Sequence, residues 1–310
     1  MKAAILIVIG LVIAFYAKTE LFDRSYLNTP HGSFFKDNRS AEILFVGDMM
    51  FDRTIRTKAE ATTTGYALPF SCAKEYLSGF DSVVGNLEGP ITDYPSTSAG
   101  TLPGEPGNTS FTFDPATARA LYESNIRLLN LGNNHSSDKG PYGADVTQEY
   151  LLAAGVGYFG SPRGNISTTT RIGGFDVAFV NFNQFLGLND PSKTISAIQG
   201  ARESSDFVFV YTHWGEEYVP ANDFQKETAR AFIDAGADMV IGSHPHVIQE
   251  SEVYNGKHIF YSLGNFIFDQ YWNRDVSTGL GVEVFLSPEG ISIKEQRFES
   301  KRNGTTCLVV

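Results

Sequence analysis

The chain has 310 residues, 42% hydrophobic and 19% charged, enough apolar material for a sizeable buried core, which excludes a mainly disordered protein. Lys and Arg number 24 against 35 Asp and Glu, a net charge of −11, and counterion-driven binding needs clustered cations, so no nucleic-acid partner is expected. Two cysteines, Cys72 and Cys307, are too few for a disulfide framework or a thiolate zinc cluster, and whether they pair is not legible from the sequence.

Met1-Lys2 precedes an uncharged apolar run of 15 residues, Ala3 to Ala17. At a helical rise of ~1.5 Å each, the run reaches roughly 22 Å, short of the ~30 Å hydrocarbon core. It reads as a signal peptide or an uncleaved signal anchor over residues 1–17. The anchor is favoured, because cleavage after Ala17 would put Phe15 where a small residue is wanted. Lys2 on the near side then directs the rest of the chain outward. The expected location is the cell membrane, single-pass, with the soluble domain outside. Residues 18–40 are polar and mixed in charge, as a linker would be. The folded domain is expected over 41–300, with 301–310 as a tail.

Strands and helices then alternate. Glu42–Gly47 and Ser82–Leu87 are compact apolar strands, and Ile126–Leu131 is a third. Asp114-Pro115 opens a helix, and Tyr142 to Ala154 reads as another, stopped by Gly155. Asp176–Phe182, Phe207–Tyr211 and Met239–Ile241 are strands, with an amphipathic helix from Asn222 to Ala235 between the last two. The end is hairpin-rich: one hairpin turns at Asn255-Gly256, and Gly281–Leu286 faces Ile291–Phe298. The fold class is α/β, with a mixed sheet or two sheets sandwiched by helices.

The chemistry-bearing residues sit where strands end, the usual place for sites in α/β sheets. Asp48 follows the first strand. Asn86 and Glu88 end the second, and Asn133, Asn134 and His135 follow the third. His213, His244 and His246 follow later strands, so four of the six histidines fall at such positions. Each residue alone has an ordinary explanation as a turn, cap or packed side chain. Together they form an imidazole, carboxylate and amide set that suits divalent Zn, Mn or Fe. In His244-Pro245-His246, an extended proline unit would aim two rings into one region. Asp48, Glu88, Asn134, His213, His244 and His246 exceed the needs of one tetrahedral ion. Two ions ~3.5–4 Å apart, bridged by a carboxylate, would use them and activate water for phosphoryl chemistry. His135 would then serve as proton donor, oriented by Asp138. Gly264-Asn265 follows a strand and lines the same end. The long polar stretch Thr92–Ser110 is read as a lid over the site.

The ordered motifs Gly47-Asp48, Gly85-Asn86-Leu87-Glu88-Gly89, Asn133-Asn134-His135, His213-Trp214-Gly215, Gly242-Ser243-His244-Pro245-His246 and Gly264-Asn265-Phe266 resemble the CapA (PgsA) type of bacterial capsule synthesis protein, over about residues 42–270. The resemblance implies a metallophosphatase-like (calcineurin-like phosphoesterase) two-sheet sandwich flanked by helices, with a dinuclear site between the sheets. It also implies a membrane-anchored, outward-facing protein associated with poly-γ-glutamate capsule. Asp48 looks like the carboxylate of the metallophosphatase Asp-x-His motif, whose histidine is replaced here by Met50. Glu88 stands at the bridging carboxylate, Asn134 at a ligand and His135 at the catalytic histidine. His213, His244 and His246 look like the remaining ligands. Three functions are consistent with this. The first is a tethered capsule factor working with polymer-synthase subunits on anionic poly-γ-glutamate. The second is a metal-dependent phosphoesterase, and the third a non-catalytic scaffold subunit, a reading that Met50 invites.

Overall fold

The computed structural model describes residues 37–186 and 190–309. The expected anchor over 1–17 and all but the end of the linker lie outside these residues. Among the described residues no helix is long and apolar enough to cross a membrane.

Two sheets carry the domain. In the first, β1 (Ala41–Met49) pairs in parallel with β2 (Ser82–Leu87), β2 with β3 (Ile126–Asn130), and β3 with β4 (Gly157–Phe159). The second sheet is built from β5 (Ser167–Ile172), β6 (Phe175–Asn183), β7 (Phe207–His213) and β8 (Met239–Ser243), continued by β10 (Lys257–Phe260) and β9 (Ser251–Tyr254). On the other side of β1, the short β11 (Asn265–Ile267) pairs in parallel, and the antiparallel β12 (Thr278–Ser287), β13 (Gly290–Ser300) and β14 (Thr306–Leu308) extend the first sheet. Residues 301–310, expected as a tail, thus supply β14. Cys307 on that strand is disulfide-bonded to Cys72, with the Cα atoms 4.9 Å apart.

Strands β1, β2 and β7 are buried along nearly their whole length, so both of their faces must be covered. Between the sheets lies an aromatic core in which Phe45 on β1 meets Phe209 at 5.2 Å and Phe179 at 6.1 Å. Truncating one of these rings to alanine costs about 3–5 kcal/mol. The outer face of the first sheet is covered by helices α1 (Arg53–Glu60), α2 (Ala116–Glu123) and α3 (Gly140–Ala154), through residues such as Ile55, Leu121 and Leu151. The second sheet is covered by α4 (Ser192–Arg202) and α5 (Asp223–Asp234), through Ile198, Ala229 and Phe232. The result is four layers, helix–sheet–sheet–helix. It matches the second of the two architectures that the strand–helix alternation allowed.

Local chemistry sets the element ends. Asn222 caps α5 in a reciprocal capping box with Gln225. Gly155 ends α3 at φ +84°. Helices α1 and α4, and strands β4 and β5, were not legible in the sequence. Strand β5 is Thr-rich and largely solvent-facing, so it lacks the apolar run that marks the central strands. The glycine before Asp48 allows a close approach: a Cβ on Gly47 would lie 1.8 Å from the Gly264 carbonyl oxygen. That contact seats the start of β11 against β1, and the amide of Asp48 donates to the same oxygen at 3.0 Å.

Candidate metal centre

The site is built on a polar row crossing the first sheet. Asn265 on β11, Asp48 on β1, Asn86 on β2 and Asn130 on β3 are register partners on neighbouring strands. All four are fully buried. Their side chains answer one another. Asn86 Nδ2 donates to Asp48 Oδ1 at 2.7 Å. Asn86 Oδ1 accepts from Asn130 at 2.9 Å and from Asn133 at 3.1 Å. Asn130 Oδ1 in turn accepts from Asn181 of the second sheet at 2.8 Å. A chain of carboxamides therefore ties the two sheets together beneath Asp48, and buried amides of this kind are costly unless paired.

Above this row stand the metal-ligating groups. Asp48, Glu88 and His213 form one set of three whose ligand atoms lie within 4.8 Å of each other, and Glu88, His244 and His246 form another. Glu88 belongs to both. It is fully buried, neither of its carboxylate oxygens accepts a hydrogen bond from an N–H or hydroxyl, and its side-chain pairing is with the Asp48 carboxyl. Its Oε1 lies 3.5 Å from His246 Nε2 and 4.0 Å from His135 Nε2. His244 Nδ1 is buried and unpartnered as well. Burying a carboxylate with no N–H or hydroxyl partner is strongly unfavourable. A divalent cation removes that penalty, so the residues present fit such an ion. Asp48, Glu88, His213, His244 and His246 would hold it.

Neighbours orient these ligands. Asp48 Oδ2 accepts the backbone N–H of His244 at 3.0 Å. His246 Nδ1 pairs with Asn265 Oδ1 at 3.0 Å, which leaves Nε2 for the Glu88 side. His213 is fully buried, with Nδ1 3.0 Å from Ser243 Oγ and Nε2 2.8 Å from Asn134 Oδ1. The predicted ligand Asn134 therefore adjoins His213, and Asn133 lies one layer below, bonded to Asn86 and to the Leu87 carbonyl. Burial, and then the neighbouring charge of Asp48, holds the Glu88 carboxyl well above its ordinary range. Asp48 is pushed up to about 6, chiefly by burial. Burial likewise holds the imidazoles of His213 and His246 well below their usual value, and His244 at about 4. The three rings are thus neutral and able to ligate near pH 7.

The His244-Pro245-His246 unit differs from expectation. It is not extended: His244 has φ +98° and His246 φ +56°. The left-handed region is costly for any side chain with a Cβ, and a residue before proline normally avoids it. The turn is held by Asp48 on the His244 amide and by the Tyr218 amide donating to the Pro245 carbonyl at 2.9 Å. Strain of this kind collects at functional sites.

His135 lies at the edge of the centre. Its Nδ1 is 2.9 Å from Asp138 Oδ2, and its ring packs on Phe111 at 4.4 Å. The same Asp138 oxygen accepts the Phe111 amide at 2.7 Å. The pairing of His135 with Asp138 is the one expected from their spacing. Met50 is fully buried and its sulfur accepts the Asp52 amide at 2.9 Å. The outer wall is a cavity of ≈ 490 Å³ that includes Glu88, His135, His246 and Pro103–Glu105 from the long polar stretch. Sequence reasoning missed Arg53, which also lines this cavity, and Asn130 and Asn181. The two asparagines carried a signal: each is an amide flanked on both sides by apolar residues, Leu129 and Leu131 or Val180 and Phe182.

The sequence profile of the family described as Bacterial capsule synthesis protein PGA_cap matches residues 42–270. The chain is 32% identical over 265 residues to the PGA biosynthesis protein CapA of Bacillus subtilis (strain 168), covering 79% of this chain and 68% of that one. It is 32% identical over 287 residues to the capsule biosynthesis protein CapA of Bacillus anthracis, covering 83% and 67%. Among solved structures it is similar to a hypothetical protein from Thermus thermophilus, with TM-score 0.53, 17% identity, and 83% and 99% coverage. A novel phosphatase from Mycoplasma pneumoniae gives TM-score 0.50, 13% identity, and 83% and 93% coverage. At such identities these two show a shared fold.

Proposed function

Because this chain belongs to the bacterial capsule synthesis protein family PGA_cap, we propose that it is a membrane-tethered factor of poly-γ-glutamate capsule biosynthesis that works through a divalent-metal centre. The observation that carries the metal centre is Glu88. A buried carboxylate whose oxygens accept no N–H or hydroxyl hydrogen bond, and which belongs to two sets of candidate ligands, is one that divalent metal would satisfy. Bound there, divalent ions would lower the pKa of a water and polarise a phosphoryl or carbonyl oxygen. The protein's own residues do the rest. Asp48 holds the backbone of His244, and Asn265 and Asn134 fix the rings of His246 and His213. His135, held by Asp138, presents Nε2 toward the Glu88 side, where it can give a proton to a leaving atom.

The tether and the outward location rest on the apolar run Ala3–Ala17. The Cys72–Cys307 bond supports them, since disulfides persist in oxidising compartments. The partners under this reading are the anionic polymer and its synthase subunits.

The test is elemental analysis of the purified protein beside its His244→Ala variant, together with capsule measurement in a strain carrying either form. Stoichiometric metal in the wild type, lost with capsule in the variant, is the expected result. Undiminished capsule in the variant would make the protein a scaffold. A second reading, a metal-dependent phosphoesterase, is favoured by the His135–Asp138 pair, which a scaffold does not need. It predicts turnover of a phosphodiester that falls roughly 10–100-fold in Asp138→Asn while metal content holds. Equal loss of metal would assign Asp138 to the fold instead.

A further inference from the structure

The cavity beside Glu88, His135 and His246 holds an arginine that the metal centre does not use. Arg53 is the first residue of α1 and is 5% exposed. Its guanidinium lies between the rings of Phe111 and Phe268, 5.1 and 5.2 Å from their centroids. Among the described residues its one polar side-chain partner is Asp269, with Nη2 2.6 Å from Oδ1 in an ion pair outside hydrogen-bonding alignment. Nε and Nη2 make no hydrogen bond. Asp269 is itself anchored, its Oδ2 accepting from the amide and the hydroxyl of Thr54.

A guanidinium is always charged and carries five donors in a rigid fork. Burying such a group with most donors unused is unfavourable unless something else takes them. The backbone adds to this, because Arg53 sits at φ +47°, a conformation that non-glycine residues keep when their surroundings impose it. Asp269 and the two rings therefore hold the fork in the wall of the cavity, with Nε and Nη2 closed off from solvent, and the guanidinium charge stands beside that space. The rest of the lining sharpens the choice of ligand. Glu105 and Glu217 face the same space and repel anions there, which leaves the stretch between Arg53 and the ion site as the part of the cavity where an anionic group would meet positive charge.

We propose that Arg53 is a substrate-anchoring residue that holds an oxyanion, carboxylate or phosphate, beside the metal centre. The inference rests on the metal-centre reading above and adds the substrate's charge class to it. On a γ-linked polymer the oxyanion is the free carboxylate of a glutamyl unit; on a phosphoester it is the phosphate.

Calorimetric titration of the metal-loaded full-length protein with two probes, γ-linked triglutamate and inorganic phosphate, tests this. The variants are Arg53→Lys, which keeps charge without the fork, and Arg53→Gln/Asp269→Asn, which removes the buried pair together so that neither charge is stranded. Metal content is measured for each. The expected result is binding at least about tenfold weaker in both variants with metal retained, since an aligned arginine–oxyanion pair is bidentate and charge-assisted. Unchanged affinity for both probes would overturn the proposal. So would weakened binding that tracks loss of metal, or a wild type that binds neither probe. Dependence on Arg53 for phosphate alone keeps the anchor and removes the polymer from the proposed function. Arg53-dependent binding by a wild type that takes up no metal keeps the anchor and removes the metal centre.

Discussion

At the floor of the site, Asn86, Asn130, Asn133 and Asn181 spend their side-chain amides on one another, on Asp48 and on nearby backbone. At its opening, Glu88, His244 and Arg53 keep buried polar atoms that neither donate a hydrogen bond nor accept one from an N–H or hydroxyl group. Both groups are buried to a similar degree, so exposure does not separate them. Pairing does. A buried polar group that is satisfied within the protein contributes to the fold, whereas one left open has a cost that a ligand can offset. The floor should therefore respond to mutation as structure and the opening as a binding site.

The sharpest break between the two is Glu88→Gln. It is nearly isosteric but removes the charge shared by both ligand sets, and metal affinity should fall by at least about 100-fold. The melting temperature of the metal-free protein should hold or rise, because a neutral amide replaces a carboxyl whose ionised form burial and Asp48 penalise. A large loss of metal-free stability would place Glu88 with the floor. Asn86→Ala is the opposite case. It strands Asp48 Oδ1 and deprives Asn130 and Asn133 of an acceptor, so chemical denaturation should show a loss of about 2–3 kcal/mol even without metal. If only metal affinity drops, the amide row is not a structural tie.

Acidity separates the regions more gently. In metal-free protein the Asp48 proton is held to about pH 6, whereas the unfolded chain sheds it near pH 3.9. The stability this contributes is present at low pH and is lost as pH rises through about 6; Glu88, raised further, extends the loss upward. The lowered histidines act in the opposite sense, but only below about pH 6.5, since above it they are neutral in both states. Above about pH 6.5, ionisation of Glu88 should cost the metal-free protein stability while the loaded protein, whose ligands must be deprotonated, gains affinity. Thermal melts with and without chelator should diverge across that range. Parallel curves would detach the carboxylates from the ion. The smallest effect is expected from His244→Gly: relief of φ +98° should stabilise the metal-free protein by about 1 kcal/mol while metal binding is lost. Destabilisation would show that the ring, which packs on Phe185 at 4.4 Å, matters more to packing than to ligation.

How much of this was legible in the sequence follows from the same division. Central strands such as Ser82–Leu87 announced themselves by apolar runs, and their ends marked Asp48, Glu88, His213 and His244, which the fold brings together. Asp138 was legible because its partner lies three residues away. Arg53 was not, because its meaning comes from Phe268 and Asp269, more than two hundred positions distant. The backbone of His244 was misjudged because a local rule for residues before proline gave way to a contact from Asp48, far away in the chain. Strand β5 escaped notice because its Thr-rich pattern lacks an apolar run.

The left-handed histidines bear on how such a protein can drift. A glycine at 244 or 246 would relieve the backbone, so selection for folding alone does not guard these positions and can favour their loss. A lineage that no longer needed the metal would shed its ligands without shedding its sandwich. Inactive descendants would then accumulate as well-folded proteins, and an intact His-Pro-His turn in a relative would be a mark of a site still in use.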